Sequence, residues 1–194
     1  MAPRMQPGDA LLMVDVQNDF CPGGALAVPD GGAVVPVLND WIAAATSGGA
    51  IVFASRDWHP ANHVSFRARG GPWPPHCVQN TSGADFHPQL RLPVSGTEIV
   101  TKADTADRDA YSAFDGTDLA DRIRAAGVRR LWVGGVATDY CVRASVLDAL
   151  RLPGLEVHVI VAAVRAVEAQ PGDGTRALEE MRSAGALLED APPA

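Results

Sequence analysis

The sequence predicts a three-layer α/β fold built around a buried parallel sheet. Short apolar segments alternate along the chain with segments whose apolar residues recur at helical spacing. Most of the apolar segments are continuous rather than alternating, which is typical of parallel strands covered on both faces. Strands and helices that alternate in this way are joined by right-handed crossover connections.

Each predicted element follows from a local pattern. The continuous apolar runs predict strands over residues 10–16, 50–55, 98–101, 130–136 and 156–162. Apolar residues at helical spacing predict helices over residues 34–45, 119–126, 142–150 and 177–181. Gly127 and Gly185 stand where glycine commonly ends a helix.

One long segment and the last residues do not fit this alternation. Residues 56–94 are rich in Pro, Gly, His and aromatic residues and show no regular period. A long irregular stretch inside a compact domain is usually functional or disordered, and its four histidines favour a function. Residues 189–194 are expected to form a loose tail.

Composition limits the classes of function. The chain has 194 residues, 20% of them charged, and a net charge of −7, which indicates one globular domain over residues 1–194 and argues against nucleic acid as a partner. The first apolar run is interrupted at Asp15, so it is too short for a signal peptide or a membrane span. We therefore expect a cytoplasmic protein without a membrane partner, either a monomer or a homo-oligomer.

The three cysteines, Cys21, Cys77 and Cys141, are odd in number and far apart. This pattern disfavours a disulfide framework or a thiolate zinc site and leaves a single catalytic cysteine open. Cys141 follows a predicted strand and a Gly-Gly pair, near the start of a helix that Thr138 would cap. There the helix dipole would lower the pKa of the thiol and free N–H groups would hold an oxyanion. The alternative is a structural cysteine buried beneath the helix.

Two further charged residues end predicted strands. Asp15 closes the first strand and Lys102 closes the third, at the edge of the sheet where Cys141 is expected. Burial would raise the pKa of Asp15 and suit it to general acid–base catalysis, and Lys102 would supply the compensating charge. Taken one at a time, each would be read as an ordinary charge facing solvent. Their coincidence predicts a catalytic triad of Asp15, Lys102 and Cys141.

The irregular segment predicts a metal site. Asp57, His59, His63 and His76 are four potential ligands within twenty residues of a histidine-poor chain. A carboxylate with imidazoles suits Zn²⁺, Fe²⁺ or Mn²⁺. The alternative for His63 or His76 is a hydrogen bond within the loop.

These residues lie in motifs that resemble the nicotinamidases and pyrazinamidases of the isochorismatase-like cysteine hydrolases. The shared stretches are VDVQNDFCPGGALAV, SRDWHPANHVSF, WPPHCVQNTSGADFHP, DAYSAFDG downstream of Lys102, and GGVATDYCV. The resemblance implies a doubly wound, mainly parallel sheet and the same triad. It also implies an oxyanion hole formed by the N–H groups of Ala137 and Cys141, with a cis bond between Val136 and Ala137.

The resemblance extends to the ligands and the substrate pocket. It assigns Asp57, His59 and His76 to one divalent metal ion, and His63 to a fourth ligand position that only part of the family uses. The substrate pocket that it implies is lined by Phe20, Trp73, Tyr111, Val136 and Ala137. Phe20 and Trp73 would sandwich a pyridine ring. Tyr140 and residues 103–109 depart from the family pattern.

The activity that the resemblance implies is deamidation of a small molecule, nicotinamide, to nicotinate and ammonia through a thioester. Pyrazinamide would be a second substrate, and the pathway would be NAD salvage. A metal-free relative acting on another small amide or carbamoyl substrate is the alternative enzyme. A non-catalytic metal-binding or scaffold protein is the alternative from another class.

Overall fold

The computed structural model describes residues 4–190 and 192–193, and positions 1–3, 191 and 194 lie outside the described residues. Within that part of the chain, six strands form one parallel sheet in the order β3-β2-β1-β4-β5-β6. The strands are β1 Asp9–Val14, β2 Ile51–Asp57, β3 Thr97–Lys102, β4 Arg130–Val136, β5 Glu156–Arg165 and β6 Leu187–Glu189. The prediction of a parallel, doubly wound α/β sheet is confirmed.

The helices follow the predicted pattern with one local difference. They are α1 Val34–Gly48, α2 Leu119–Ala125, α3 Arg143–Ala149 and α4 Asp173–Ser183. Gly127 and Gly185 follow α2 and α4 and have φ angles of 65° and 116°, as expected for glycines that end helices. A π-helical turn, Thr138–Val142, precedes α3. Thr138 is therefore the first helical residue and not the cap, because Ala137 occupies the N-cap position.

The two faces of the sheet are covered by different elements. Successive side chains of a strand point to opposite faces. In β1, Leu11 and Met13 belong to the core on the α1 side, whereas Leu12 belongs to the core on the side of α2, α3 and α4. Both cores are apolar, and every residue of β1 is buried between them. This double coverage explains why the strands read as continuous apolar runs.

The chain reverses its direction of travel across the sheet between β1 and β4. From β1 the sheet grows through β2 to β3 on one side, and from β4 through β5 to β6 on the other. Loops at the carboxyl ends of β1 and β4 therefore leave in opposite directions and open a crevice. The crevice is the place where an open parallel sheet accommodates a ligand.

Several strand ends differ from the prediction, including that of β5, which continues to Arg165. β1 stops at Val14 because Asp15 adopts a left-handed backbone conformation, with φ 51°. β2 continues to Asp57, so this carboxylate belongs to the strand rather than to the loop after it. β6 was not predicted because three residues are too few to show a period, and its pairing places Glu189 in the sheet rather than in the tail.

The segment between β2 and β3 is irregular, as predicted. It contains two short 3₁₀ turns, Arg67–Arg69 and Ser82–Ala84, and isolated bridges that pair His59 with Val78 and Phe66 with Trp73. Cys77 and Ala84 from this segment pack into the core on the α1 side. The segment is thus anchored across the carboxyl edge of the sheet. In the described residues, none of the helices combines the length and the hydrophobicity that crossing a membrane requires.

Gly135 allows β1 and β4 to approach closely just before the crevice. Its φ is +127°, and a Cβ built at this position would lie 2.1 Å from the carbonyl oxygen of Val14. A side chain here would have to displace backbone of the central strand. Gly154 also has a positive φ, +77°, but a Cβ added there would meet nothing within 4 Å. Alanine substitution at Gly154 therefore tests backbone strain alone, whereas substitution at Gly135 tests strain together with steric overlap.

We expect Gly135→Ala to lower the free energy of unfolding by about 3 kcal/mol or more, because left-handed strain and overlap with β1 add together. Gly154→Ala should cost about 1–2 kcal/mol, the strain alone. Denaturant unfolding of both variants beside the parent protein measures the difference. Equal losses would show that β1 can move away from β4 at no cost.

Candidate active site and metal centre

Three neighbouring strands bring charged residues together at their carboxyl ends. Asp57 and Lys102 are the last residues of β2 and β3 and are paired in register. Asp15 directly follows β1, and its N–H donates to the carbonyl of Ser55 in β2 over 3.2 Å. All three side chains are almost completely buried. A parallel sheet aligns its carboxyl ends at one edge, so residues far apart in sequence meet there.

The ammonium group of Lys102 is the centre of this cluster. Its Nζ lies 2.9 Å from Oδ2 of Asp15 and contacts Oδ1 of Asp57. It also donates to the carbonyl of Ala110 over 3.2 Å and lies 3.7 Å from Sγ of Cys141. Every side of the buried cation thus faces an acceptor, which a charge removed from water requires.

The two carboxylates have different proton affinities. Burial raises the pKa of Asp15 above its ordinary value, and the charge of Lys102 offsets burial only in part. Burial also raises the pKa of Asp57, but the charge of Lys102 opposes burial and this pKa lies below its ordinary value. Burial lowers the pKa of Lys102, yet the two carboxylates hold it well above its usual range. Asp57 and Lys102 therefore form the charged pair, and Asp15 is the group suited to gain and lose a proton.

Cys141 lies in the π-helical turn at the carboxyl end of β4, where the sequence placed it. Its side chain faces the cluster: Sγ and carboxylate oxygens of Asp15 and Asp57 all lie within 4.8 Å of one another. The expectation that this position lowers the pKa of the thiol is wrong. Burial raises the pKa of Cys141 well above its ordinary value; Lys102 opposes this effect, and Asp15 and Asp57 add to it. A thiol in this setting needs a base to remove its proton.

The backbone just before the turn of Cys141 has the conformation that the family resemblance implies. The peptide bond between Val136 and Ala137 is cis, which confirms the prediction of a cis bond there. The carbonyl of Ala137 accepts the N–H groups of Tyr140 and Val142 over 3.1 and 3.0 Å, which holds the turn closed. Ala137 and Cys141 line the same cavity. N–H groups at the start of a helical segment have no partner within it and can stabilise an oxyanion.

Asp57, His59 and His76 form a group that fits a metal ion. Each offers a ligand atom within 4.8 Å of the others, and all three are buried. Nδ1 of His59 contacts the carbonyl of Ala103 at 3.1 Å, and Nδ1 of His76 contacts that of Pro74 at 2.8 Å. A carbonyl only accepts, so Nδ1 carries the proton in both rings and Nε2 keeps its lone pair. Histidine ligands are commonly oriented by such a backbone contact.

His63 lies against this group without joining it. Its ring stacks on His59 with centroids 4.1 Å apart. Nε2 donates to the carbonyl of Arg108 over 2.9 Å, and Nδ1 accepts the hydroxyl of Ser65 over 2.7 Å. Both ring nitrogens are therefore engaged, and coordination would break one of these bonds. In this arrangement His63 forms a hydrogen bond within the loop, to Ser65, which is the alternative that the sequence left open.

A small cavity opens onto Cys141 and the candidate metal group. Of the predicted pocket residues, Phe20, Trp73, Tyr111 and Ala137 line it. Val136 does not: it is the last residue of β4, and its buried side chain packs into the core on the α1 side. The sequence did not predict seven further lining residues, namely Leu26, Val28, Ser65, Asp109, Ala110, Tyr140 and Val167. Asp15 and Lys102 lie directly behind Cys141, with a carboxylate oxygen of Asp15 within 4.8 Å and Nζ of Lys102 3.7 Å from its sulfur.

Gln17 positions Asp57, although nothing in its local sequence reveals this role. Its Oε1 accepts the N–H of Asp57 over 2.8 Å, and its Nε2 donates to the carbonyls of Asp57 and Ala84, each over 2.8 Å. The side chain is fully buried. One amide thus satisfies both backbone groups of the candidate ligand and ties it to the irregular segment.

Two further carboxylates hold the loops around the cavity. Asp19 accepts the N–H of Cys77 over 2.7 Å, which fixes the turn that carries His76. Asp139 accepts the N–H groups of Val167 and Glu168 over 2.9 and 3.0 Å. The turn that contains Cys141 is thereby tied to the segment after β5. Asp19 and Asp139 lie in motifs that the sequence shows, but the backbone groups that each carboxylate binds are distant in the sequence and could not be predicted.

We expect Gln17→Leu to lower the free energy of unfolding by about 3 kcal/mol or more, since three buried backbone groups lose their partner at about 1–3 kcal/mol each. The matched control is Gln79→Leu. Gln79 also donates to two carbonyls, those of Trp58 and Asp104 over 2.9 and 3.0 Å, but water can reach them. Denaturant unfolding should show a loss of about 1 kcal/mol for the control. Similar losses in both variants would contradict the role assigned to Gln17.

Comparison with known proteins agrees with this arrangement. The isochorismatase domain model matches residues 9–192. The nicotinamidase of Escherichia coli (strain K12) is 45% identical over an alignment of 203 positions, gaps included. The alignment covers 94% of this chain and 94% of that protein.

Solved structures give the same picture. The pyrazinamidase of Pyrococcus horikoshii in complex with zinc has a TM-score of 0.90 and 51% identity, covering 94% of this chain and 99% of that one. PnC1 from L. infantum in complex with nicotinate has a TM-score of 0.86 and 34% identity, covering 97% of this chain and 96% of that one. The family model spans nearly the whole chain, and the fold agrees with these neighbours. The chain therefore belongs to the isochorismatase family.

Proposed function

We propose that the protein is a metal-dependent cysteine amidohydrolase that converts nicotinamide to nicotinate and ammonia, and pyrazinamide to pyrazinoate, in NAD salvage. One observation carries the proposal: the thiol of Cys141 and the group of Asp57, His59 and His76 face the same small cavity. A nucleophile beside a metal group suits an amide attached to a ring with a lone pair. The nicotinamidase and pyrazinamidase relatives support this pair of substrates.

The first half of the reaction forms a thioester. Asp15, whose pKa is raised, accepts the thiol proton of Cys141. Sγ then attacks the carboxamide carbon, and the N–H groups of Ala137 and Cys141 stabilise the negative charge on the carbonyl oxygen. The C–N bond breaks as Asp15 returns the proton to nitrogen, and ammonia leaves.

The second half releases the acid. Asp15 takes a proton from water, and the resulting hydroxide attacks the thioester carbon. The C–S bond then breaks, the proton returns from Asp15 to sulfur, and the acid leaves and loses its proton to water to give nicotinate. Lys102 remains charged throughout, and its Nζ, 3.7 Å from Sγ, stabilises the thiolate while it exists.

Substrate orientation is assigned to the cavity walls and to the metal. Phe20 and Trp73 offer aromatic faces to a planar ring. Asp57, His59 and His76 would hold one divalent ion, Zn²⁺, Fe²⁺ or Mn²⁺. When bound, such an ion supplies a Lewis acid for the ring nitrogen, directly or through a water. The chemical step itself is left to Asp15, Lys102 and Cys141.

The function is tested by incubating metal-replete protein with nicotinamide and measuring ammonia. We expect Cys141→Ala to lower kcat by about 10⁴-fold or more, because the nucleophile is lost. Cys21→Ala removes a buried cysteine that does not line the cavity and should retain turnover. Absence of ammonia from the parent protein would refute the function, and turnover by Cys141→Ala would remove Cys141 from its role.

The ligand set is tested by measuring bound metal. We expect His76→Ala to lose metal affinity by about 100-fold or more, because the loss of a direct ligand exceeds the 10–100-fold effect of an outer partner. His63→Ala is the matched control and should keep a stoichiometric metal, since both of its ring nitrogens are hydrogen bonded elsewhere. Elemental analysis after dialysis gives the metal content. Equal loss in both variants would make His63 a ligand.

Chelation tests the reaction class with the same protein. Ammonia release should fall on chelator treatment and return when a divalent metal is added. Release that is indifferent to chelator would favour a metal-free hydrolase.

A further inference from the structure

Tyr140 stands between the cavity and a separate groove on the surface. On one side it lines the cavity together with Cys141. On the other side it lines a groove formed by Asp139, Arg143, Asp173, Arg176, Ala177 and Glu180. Among the described residues, Tyr140 is the one that borders both spaces. Its ring is therefore the partition between them.

Two other rings hold this partition in place. The ring of Tyr140 meets Trp73 edge-on with centroids 5.2 Å apart, and meets Tyr111 at 5.6 Å. Nε1 of Trp73 donates to the hydroxyl of Tyr111 over 3.1 Å. We call Trp73, Tyr111 and Tyr140 the aromatic arc. Each such ring pair contributes about 0.5–1.5 kcal/mol beyond its buried area, so the arc resists displacement.

The backbone of Tyr140 is fixed by the same turn that positions Cys141. Its N–H donates to the carbonyl of Ala137 over 3.1 Å. Asp139, the preceding residue, is bonded to the N–H groups of Val167 and Glu168. These bonds fix the backbone of Tyr140, and the contacts of its ring with Trp73 and Tyr111 hold the side chain against the cavity. Tyr140 thus acts as a wall rather than as a mobile lid.

The groove behind the wall offers space but no unpaired charge among its described arginines. Arg143 binds Glu180 through two hydrogen bonds of 2.7 and 2.6 Å. Arg176 binds Asp173 over 2.5 Å. These charges satisfy one another, so the groove is not a site for an ion. It is an open volume that a larger substrate would enter if the ring of Tyr140 were absent.

We propose that Tyr140 is a specificity-determining residue, whose ring excludes pyridine carboxamides that carry a ring substituent directed towards α4. This inference rests on the proposed function, because it concerns the substrate of the same cavity. The expected change in kcat/KM follows from the size of the substituent. One methyl group that a pocket accepts or rejects changes kcat/KM by about 10–200-fold.

The first experiment compares kcat/KM for nicotinamide with that for nicotinamides methylated at each ring carbon in turn. For at least one of them, we expect Tyr140→Ala to raise the ratio of substituted to unsubstituted substrate by about 10-fold or more. Tyr140→Phe keeps the ring and should keep the parent ratio. For nicotinamide itself, Tyr140→Ala should change KM more than kcat, because a wall contacts the ground state and the transition state alike.

A second experiment reads the same opening without turnover. Cys141 is alkylated with iodoacetamide or with the larger N-phenylmaleimide, and peptide mass spectrometry follows the modified site. Tyr140→Ala should raise the rate with the maleimide relative to iodoacetamide by about 10-fold, and Tyr140→Phe should not. If Tyr140→Ala does not fold by thermal melting, Tyr140→Leu takes its place, with a smaller shift in the same direction.

The outcomes separate the two proposals. Ammonia release by the parent protein with unchanged ratios in the variants overturns the role of Tyr140 and leaves the proposed function standing. Absence of ammonia with a shifted alkylation ratio refutes the function and retains Tyr140 as the wall of the cavity. Unchanged ratios in both experiments overturn the inference whatever the activity.

Discussion

The buried ammonium group of Lys102 connects every part of the candidate site. It contacts Asp15 and Asp57, the carbonyl of Ala110, and the sulfur of Cys141. A cation in a dry interior is tolerated only when such partners surround it, and two carboxylates this close are tolerated only when a cation lies between them. The carboxyl ends of β1, β2 and β3 are thus held together by one charge. The same charge leaves one carboxylate ionised and the other able to exchange a proton.

Asp57 makes the nucleophile and the metal group a single unit. One of its oxygens contacts Lys102, and the other lies 3.5 Å from Nε2 of His59. Any change in the position of Asp57 therefore reaches the proton-transfer cluster and the candidate ligands together. Gln17 binds both backbone groups of Asp57 and limits such movement. A site of this kind depends on its supporting shell as much as on the groups that touch the ligand.

Rigid connections also shape the cavity. Asp19 ties the turn of His76 to the loop after β1, and Asp139 ties the turn of Cys141 to the loop after β5. The long segment between β2 and β3 is irregular in its backbone, yet its side chains and backbone groups are bonded to the sheet. Tyr140, in contact with Trp73 and Tyr111, separates this cavity from the groove along α4.

The sequence by itself determined the layered parallel fold, because periods of apolar residues are local and survive in the primary structure. It also placed Asp15, Lys102 and Cys141 at strand ends, and those ends meet at one edge in any parallel sheet. Tertiary structure alone decided that Lys102 is shared with Asp57 and that burial raises the pKa of Cys141. Tertiary structure alone also decided that both ring nitrogens of His63 are hydrogen bonded and that the side chain of Val136 packs into the core. It alone placed Tyr140 between the cavity and the groove along α4. The physical reason is that hydrogen-bond partners and burial depend on residues some forty positions away, and no local pattern records them.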